Sequence, residues 1–272
     1  MRFHEKLSNV VHAHESLLCV GLDIDKEKMP RFLFESSKDP YLDFNTAIID
    51  ETKEHVCAYK LNLAFYEVFG KKGVDLLEKT IHHIPRDVVV ILDGKRNDIG
   101  NTAQKYAQSL FDTFHADAVT VNPYLGKDGV MPFLEYKDKC CFILCRTSNP
   151  SAGDFQDLVV SKTPLYQKVA EKIKEWNIHG TCGAVVGATY QNELAVVRKI
   201  LGEDIPLLIP GVGKQGGDVE QTIRHGTNAS GEAAIINSSR EILYAGADEH
   251  FAHAAREKAE TLKKQINMFR KK

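Results

Sequence analysis

No run of about 18 consecutive apolar residues occurs in this 272-residue chain, so no membrane-spanning helix is expected. The opening Met1-Arg2-Phe3-His4-Glu5-Lys6 lacks the apolar h-region of a secretory signal. An excess of one charge is missing too: 35 basic residues stand against 37 acidic ones. That balance gives no basic field for nucleic acid, although a local anion site remains open. The six cysteines (Cys19, Cys57, Cys140, Cys141, Cys145, Cys182) form no CxxC pair and mostly lie in apolar strand-like runs. Reduced, buried thiols in a cytoplasmic protein are therefore expected, with Cys140 and Cys141 at the edge of the core. His12, His14, His82, His83, His250 and His253 have no carboxylate or cysteine at ligand spacing, so no metal is expected. No low-complexity segment, short repeat or Pro/Gly/Ser linker divides the chain.

What is present is alternation. Apolar, β-branched runs recur at 17–23, 56–62, 88–95, 116–122, 141–147, 183–189, 206–213 and 233–240, each ending in polar or glycine-rich residues. Helical periodicity fills the gaps, for example at 41–53, 73–82, 102–114 and 191–201, and a charged amphipathic segment, 249–264, follows the last run. Near-continuous apolar strands alternating with helices indicate a parallel sheet covered by helices. Eight such units favour a single (β/α)8 TIM barrel over 1–272, and a hydrophobic content of 43% is enough for its core. In that fold reactive side chains sit at the C-terminal ends of the strands. Those ends carry Asp23, Lys60 with Asn62, Asp93 with Lys95, Asn122, Thr147 with Ser148, Gln215 and Arg240.

The densest of these ends is Asp93-Gly94-Lys95-Arg96-Asn97-Asp98. Residues two apart on a strand face the same way, so Asp93 and Lys95 should point together, with Asp98 converging from the loop. A structural salt-bridge network is the plain alternative. Lys60, ending another strand on the same face, extends the cluster to an alternating Lys/Asp/Lys/Asp array. Carboxylates flanking an ammonium favour its charged form, which makes Lys95 a proton donor rather than a Schiff-base nucleophile.

A second signal is Pro210-Gly211-Val212-Gly213-Lys214-Gln215-Gly216-Gly217-Asp218. Glycine-rich loops after the seventh and eighth strands of a barrel commonly cradle phosphate. Leu208 and Gln215 break the Walker A pattern, and a mere turn is the competing explanation. Ser238-Ser239-Arg240 tips the choice toward phosphate, because an arginine fork suits its oxygens. Thr147-Ser148-Asn149-Pro150 reads either as a turn and cap cluster or as a hydroxyl set against a ring edge. The following segment, 151–163, is expected as a long mobile loop and a lid.

With Ile99, Gly100, Asn101 and Thr102 following it, the segment from Asp93 resembles the orotidine 5′-phosphate decarboxylase family, whose third strand carries aspartate–x–lysine–x–x–aspartate. The resemblance covers nearly the whole chain. Asp23 matches the family's first-strand aspartate and Lys60 its second-strand lysine. Thr147-Ser148-Asn149-Pro150 resembles the pyrimidine-contacting segment, and 210–218 with Ser239-Arg240 the phosphate grip. Length and the Ser-Asn-Pro variant are similar to the longer bacterial and archaeal-type branch, while 151–167 and 216–232 do not align residue by residue. The resemblance implies conversion of orotidine 5′-phosphate to uridine 5′-phosphate and CO2, the last step of de novo pyrimidine synthesis, with no cofactor. It implies Lys95, Asp93, Lys60 and Asp98 as catalytic, and Asp23, Lys60, Thr102, Ser148, Gln215, Ser239 and Arg240 as substrate-binding. It further implies a homodimer with shared sites, in which Asp98 and Thr102 serve the neighbouring subunit. Relatives with the same third-strand motif, Mg-dependent sugar-phosphate decarboxylases and hexulose-phosphate synthases, place a metal-binding glutamate on the second strand. Lys60 would repel that metal. A metal-dependent relative and a non-catalytic phosphate-ligand binder are the alternatives.

Overall fold

A computed structural model describes residues 1–212 and 218–270. Eight parallel strands among the described residues close a barrel: β1 (Leu18–Gly21), β2 (Ala58–Asn62), β3 (Val89–Arg96), β4 (Ala118–Val121), β5 (Cys140–Arg146), β6 (Cys182–Val186), β7 (Leu207–Pro210) and β8 (Ala234–Ser238). Every strand pairs with its neighbours in sequence, and β8 closes on β1 through Leu18 opposite Ile236. Helices follow the strands and cover their outer faces, as short right-handed crossovers require. The expected fold is the one observed.

Strand composition accounts for this arrangement. Val88, Val89, Ile91 and Leu92 are fully buried, as are Ile235 and Ile236. Such strands are apolar on both faces because interior side chains pack one face and helices the other. Helix Pro40–Thr52 starts with proline at its first turn, where a missing N–H costs nothing, and buries Phe44, Ile48 and Ile49. The Phe44 ring stacks on Phe251 at 5.2 Å, from the C-terminal helix Phe251–Phe269, and on Tyr244 at 6.0 Å.

Helix Phe3–Ala13, which the apolar pattern did not single out, closes the N-terminal end. Phe3 meets Phe142 of β5 edge-on at 5.9 Å, and Lys6 Nζ pairs with Asp117 Oδ2 at 2.6 Å. A Cβ at Gly183 would sit 2.5 Å from the Phe142 ring, so glycine there lets that ring fill the barrel. The helix thereby covers that end of the barrel.

Several expectations need correction. The predicted helix over 102–114 is α-helical only as Gly100–Gln108 and continues as a π turn, Ser109–Thr113. Arg240 does not end β8 but opens a helical turn, Arg240–Leu243. Cys140 and Cys141 are not edge residues: both are wholly buried on β5. The segment after β5 is no plain loop. It forms a 3-10 turn, Pro150–Asp154, and an antiparallel ribbon pairing Val159–Val160 with Thr163–Pro164. Histidines said to lack carboxylates do meet them singly, His12 with Glu232 and His83 with Asp50, each at 3.2 Å.

Candidate active site

At the C-terminal ends of the strands lies a cavity of about 710 Å³, with Asp23, Lys60, Asp93 and Lys95 in its wall. Parallel pairing sets Asp93 of β3 beside Asn62 of β2, which brings the charges of the two strand ends together. The resulting array is continuous. Lys60 Nζ lies 3.6 Å from Asp23 Oδ1 and 3.0 Å from Asp93 Oδ2, and Lys95 Nζ lies 2.8 Å from Asp93 Oδ1. Lys60 and Asp93 are buried, whereas the Lys95 side chain is about half exposed toward the cavity (49%). Of the expected Lys60–Asp93–Lys95–Asp98 array the chain brings the first three together, with Asp23 rather than Asp98 as the fourth charge, in the order Asp23–Lys60–Asp93–Lys95.

Burial and charge oppose each other here. Burial alone would push the Lys60 ammonium toward its neutral form, but Asp23 and Asp93 outweigh it and raise its pKa above the ordinary lysine value. For Asp93 burial pushes upward, yet Lys60, Lys95 and hydrogen bonds from Lys95 and Thr120 hold the carboxyl far below its ordinary range. Asp93 is thus a fixed anion, unsuited to proton uptake. Asp23 Oδ1 is buried with the Lys60 ammonium beside it at 3.6 Å and no partner at hydrogen-bond distance among the described residues.

The backbone bends to make this geometry. Register between β3 and β4 shifts between Leu92 and Arg96, and Lys95 sits at φ +46°, a left-handed conformation that costs a non-glycine residue energy. Thr120 of β4, buried and absent from the strand-end residues, supports the bend. Its hydroxyl donates to Asp93 Oδ1 at 2.7 Å and accepts from the Lys95 N–H at 2.9 Å. A hydroxyl inside an apolar strand, one residue short of its end, was the available signal.

Across the cavity, Ser148, just past β5, packs against Gly187, just past β6. A Cβ on Gly187 would fall 2.7 Å from Ser148 Cβ and 2.9 Å from its backbone nitrogen, so glycine is needed for that approach. Thr147 is held by Gln156, which accepts from the Thr147 N–H and donates to its hydroxyl, both at 2.8 Å. Arg146, almost fully buried, pairs with Asp157 at 3.0 Å and lies 3.8 Å over the Tyr190 ring. Two side chains thereby tie the segment expected as a lid to the end of β5. Ser239 packs against the first strand, where a Cβ on Gly21 would collide with its hydroxyl, and Arg240 beside it is exposed and lines the cavity. Gln215 lies outside the described residues.

Two expected residues are not brought in. Asp98 does not converge on Lys95 within the chain: β3 ends at Arg96, and the Asp98 carboxylate accepts from the Ile99 N–H at 2.8 Å. Thr102 is exposed on the helix that follows, and neither residue lines the cavity. Among the described residues no group of three or more His, Cys, Asp or Glu side chains is placed to hold a metal ion.

A sequence model of the orotidine 5′-phosphate decarboxylase / HUMPS family matches residues 16–255. Two proteins named orotidine 5′-phosphate decarboxylase are similar end to end. The one from Dehalococcoides mccartyi is 48% identical, with 100% of each chain covered. That from Cellvibrio japonicus is 49% identical over 99% of this chain and 100% of its own. Among solved structures, the OMP decarboxylase of Leishmania donovani superposes with a TM-score of 0.86 at 36% identity, covering 99% of this chain and 98% of its own.

The charged array has a pH signature. Because the Asp93 pKa is depressed, its stabilising contribution is complete above the ordinary carboxylate value of about 4 and is lost only as pH falls through the lowered value. Because the Lys60 pKa is raised, its contribution is complete below about 10.4 and is lost only as pH rises through the raised value. The melting-temperature difference between this protein and its Asp93→Asn variant should therefore stay level from about pH 5 to 9 and narrow below about pH 4. A difference that already changes between about pH 5 and 8 contradicts the assignment.

Proposed function

The chain belongs to the orotidine 5′-phosphate decarboxylase / HUMPS family and is a carboxy-lyase, and on that premise we propose that it converts orotidine 5′-phosphate to uridine 5′-phosphate by metal-free electrostatic catalysis at Lys95. The observation that carries this reading is Lys60. At the end of β2 it places a buried ammonium between Asp23 and Asp93, on the strand where a metal-using relative needs an acidic ligand. Such an arrangement repels a divalent cation and favours the decarboxylase over the hexulose-phosphate branch.

Departure of CO2 leaves an electron pair on ring C6, with no adjacent carbonyl placed to accept it. Stabilisation must then be stronger in the transition state than for the bound substrate. The C6–carboxylate bond breaks, the pair stays on C6, and the Lys95 ammonium, anchored on Asp93, delivers a proton there. Lys95 regains its proton from solvent. Asp93, fixed as an anion, lies near the departing carboxylate. Asp23 and Lys60, which line the cavity, hold ribose hydroxyls; Ser148 reads the pyrimidine edge. Arg240, Ser239 and Gln215 hold the phosphate, whose binding energy supports closure of the site.

The same reading extends to assembly. Asp98 and Thr102 do not line their own chain's cavity, and the segments that follow β3 and β4 expose the apolar side chains of Ile99, Tyr124 and Leu125. Apolar groups grouped on a surface favour a protein contact. A two-fold homodimer would bury them and deliver Asp98 of the partner subunit to each Lys95. One catalytic barrel over 1–272, a cytoplasmic location and a role as the final step of uridine 5′-phosphate synthesis complete the proposal. The six buried, unpaired cysteines fit a reducing compartment.

Two experiments test it. Lys95→Ala should fold yet lose nearly all ultraviolet-detected decarboxylation of orotidine 5′-phosphate; retained turnover removes Lys95 as proton donor. Mixing inactive Lys60→Ala and Asp98→Ala proteins should restore part of the activity, since a hybrid dimer holds one intact site. Absence of recovery, with subunit exchange verified, contradicts the shared site.

A further inference from the structure

We infer that Thr120 is a positioning residue for decarboxylation, its single hydroxyl fixing both the Asp93 carboxylate and the backbone from which Lys95 projects. The inference rests on the reading of Lys95 and Asp93 given above. It starts from an interruption in the barrel. Leu92 pairs with Val119 and Arg96 with Val121, so four residues of β3 span the distance of two on β4. The extra length bulges, and a bulge re-aims the side chains it carries. Lys95, at φ +46°, is turned by it toward the cavity.

A bulge also takes an amide out of the ladder, and a buried N–H without an acceptor is costly. Thr120 supplies the acceptor. A hydroxyl has one proton and two lone pairs, and both functions are used: the proton goes to Asp93 Oδ1 at 2.7 Å, and a lone pair receives the Lys95 N–H at 2.9 Å. The Asp93 oxygen that accepts from Thr120 is also the one that accepts from Lys95 Nζ at 2.8 Å. Backbone, carboxylate and ammonium are thereby joined in one closed loop through the threonine. Thr120 itself is 1% exposed on a strand packed into the barrel wall, which makes it a rigid reference point.

The consequence is specific to the chemical step. Thr120 lines the cavity wall beside Lys95, but its hydroxyl bonds only Asp93 and the Lys95 N–H and not Ser148, Ser239 or Arg240, so substrate capture should depend on it little. Lys95 placement should, because small misplacements of a reacting group slow the reaction far more than they weaken binding. Valine keeps the shape of threonine but neither accepts from Lys95 nor donates to Asp93. Serine keeps both functions.

Steady-state kinetics on full-length wild type, Thr120→Val and Thr120→Ser separates these roles. In Thr120→Val the kcat should fall by about 10- to 100-fold while KM for orotidine 5′-phosphate stays within about threefold, and Thr120→Ser should recover most of the rate. A valine variant with wild-type kcat overturns the inference, as does a serine variant impaired as severely as the valine one. If Thr120→Val gives no folded protein, Thr120→Ala read against Thr120→Ser decides by the same criteria. Wild type that does not turn over orotidine 5′-phosphate overturns the inference together with the reading beneath it; active wild type with an unaffected valine variant overturns the inference alone.

Discussion

The Asp93 carboxylate accepts hydrogen bonds from Lys60, Lys95 and Thr120, and the barrel mouth is organised around keeping that buried anion charged. Removing one partner of a buried ion pair typically costs about 3–5 kcal/mol, because the remaining charge has lost its solvent and its counter-ion. β2 contributes Lys60, β4 contributes Thr120, and β3 contributes both Asp93 and Lys95, so three adjacent strands converge on one oxygen pair. Parallel pairing in a closed barrel is what brings them to one level. The N-terminal helix covers the opposite end, and the array faces the cavity.

This arrangement connects electrostatics to backbone conformation. Lys95 reaches the cavity because its residue adopts a left-handed conformation at a bulge, and a strained residue persists only where surrounding structure over-determines it. The ion pair holds the side chain and Thr120 holds the amide. Gly187 beside Ser148 and Gly21 beside Ser239 apply the same logic across the mouth: a missing Cβ lets a serine of the cavity wall approach the neighbouring strand. The charged residues of the cavity wall, Asp23, Lys60, Asp93 and Lys95, thus stand at strand ends.

Much of this was legible in the residues. Eight β-branched runs named the barrel, because a strand buried on both faces leaves a continuous apolar trace. Asp23, Lys60, Asp93 and Lys95 were legible because charge at the end of such a trace has no packing role. Thr120 was not, since a threonine inside a strand is an ordinary β-former and its role arises from a register shift that one strand's sequence cannot display. Nor was the tie between Gln156 and Thr147, which depends on how the segment after β5 folds back. Asp98 was expected beside Lys95 and is not found there. Spacing along a chain does not tell which carboxylate reaches a neighbouring ammonium, and here the Asp98 carboxylate accepts from the Ile99 N–H just ahead of the helix that starts at Gly100. The ribbon of Val159–Val160 and Thr163–Pro164 is too short for its alternation to register.

The central claim is that a lysine where a metal-using relative has an acid makes this a cofactor-free decarboxylase. The most direct measurement follows the ultraviolet absorbance change as orotidine 5′-phosphate is consumed, first in excess EDTA and then with Mg2+ restored. The account predicts the same turnover in both. Activity that disappears in EDTA and returns with Mg2+ would contradict it.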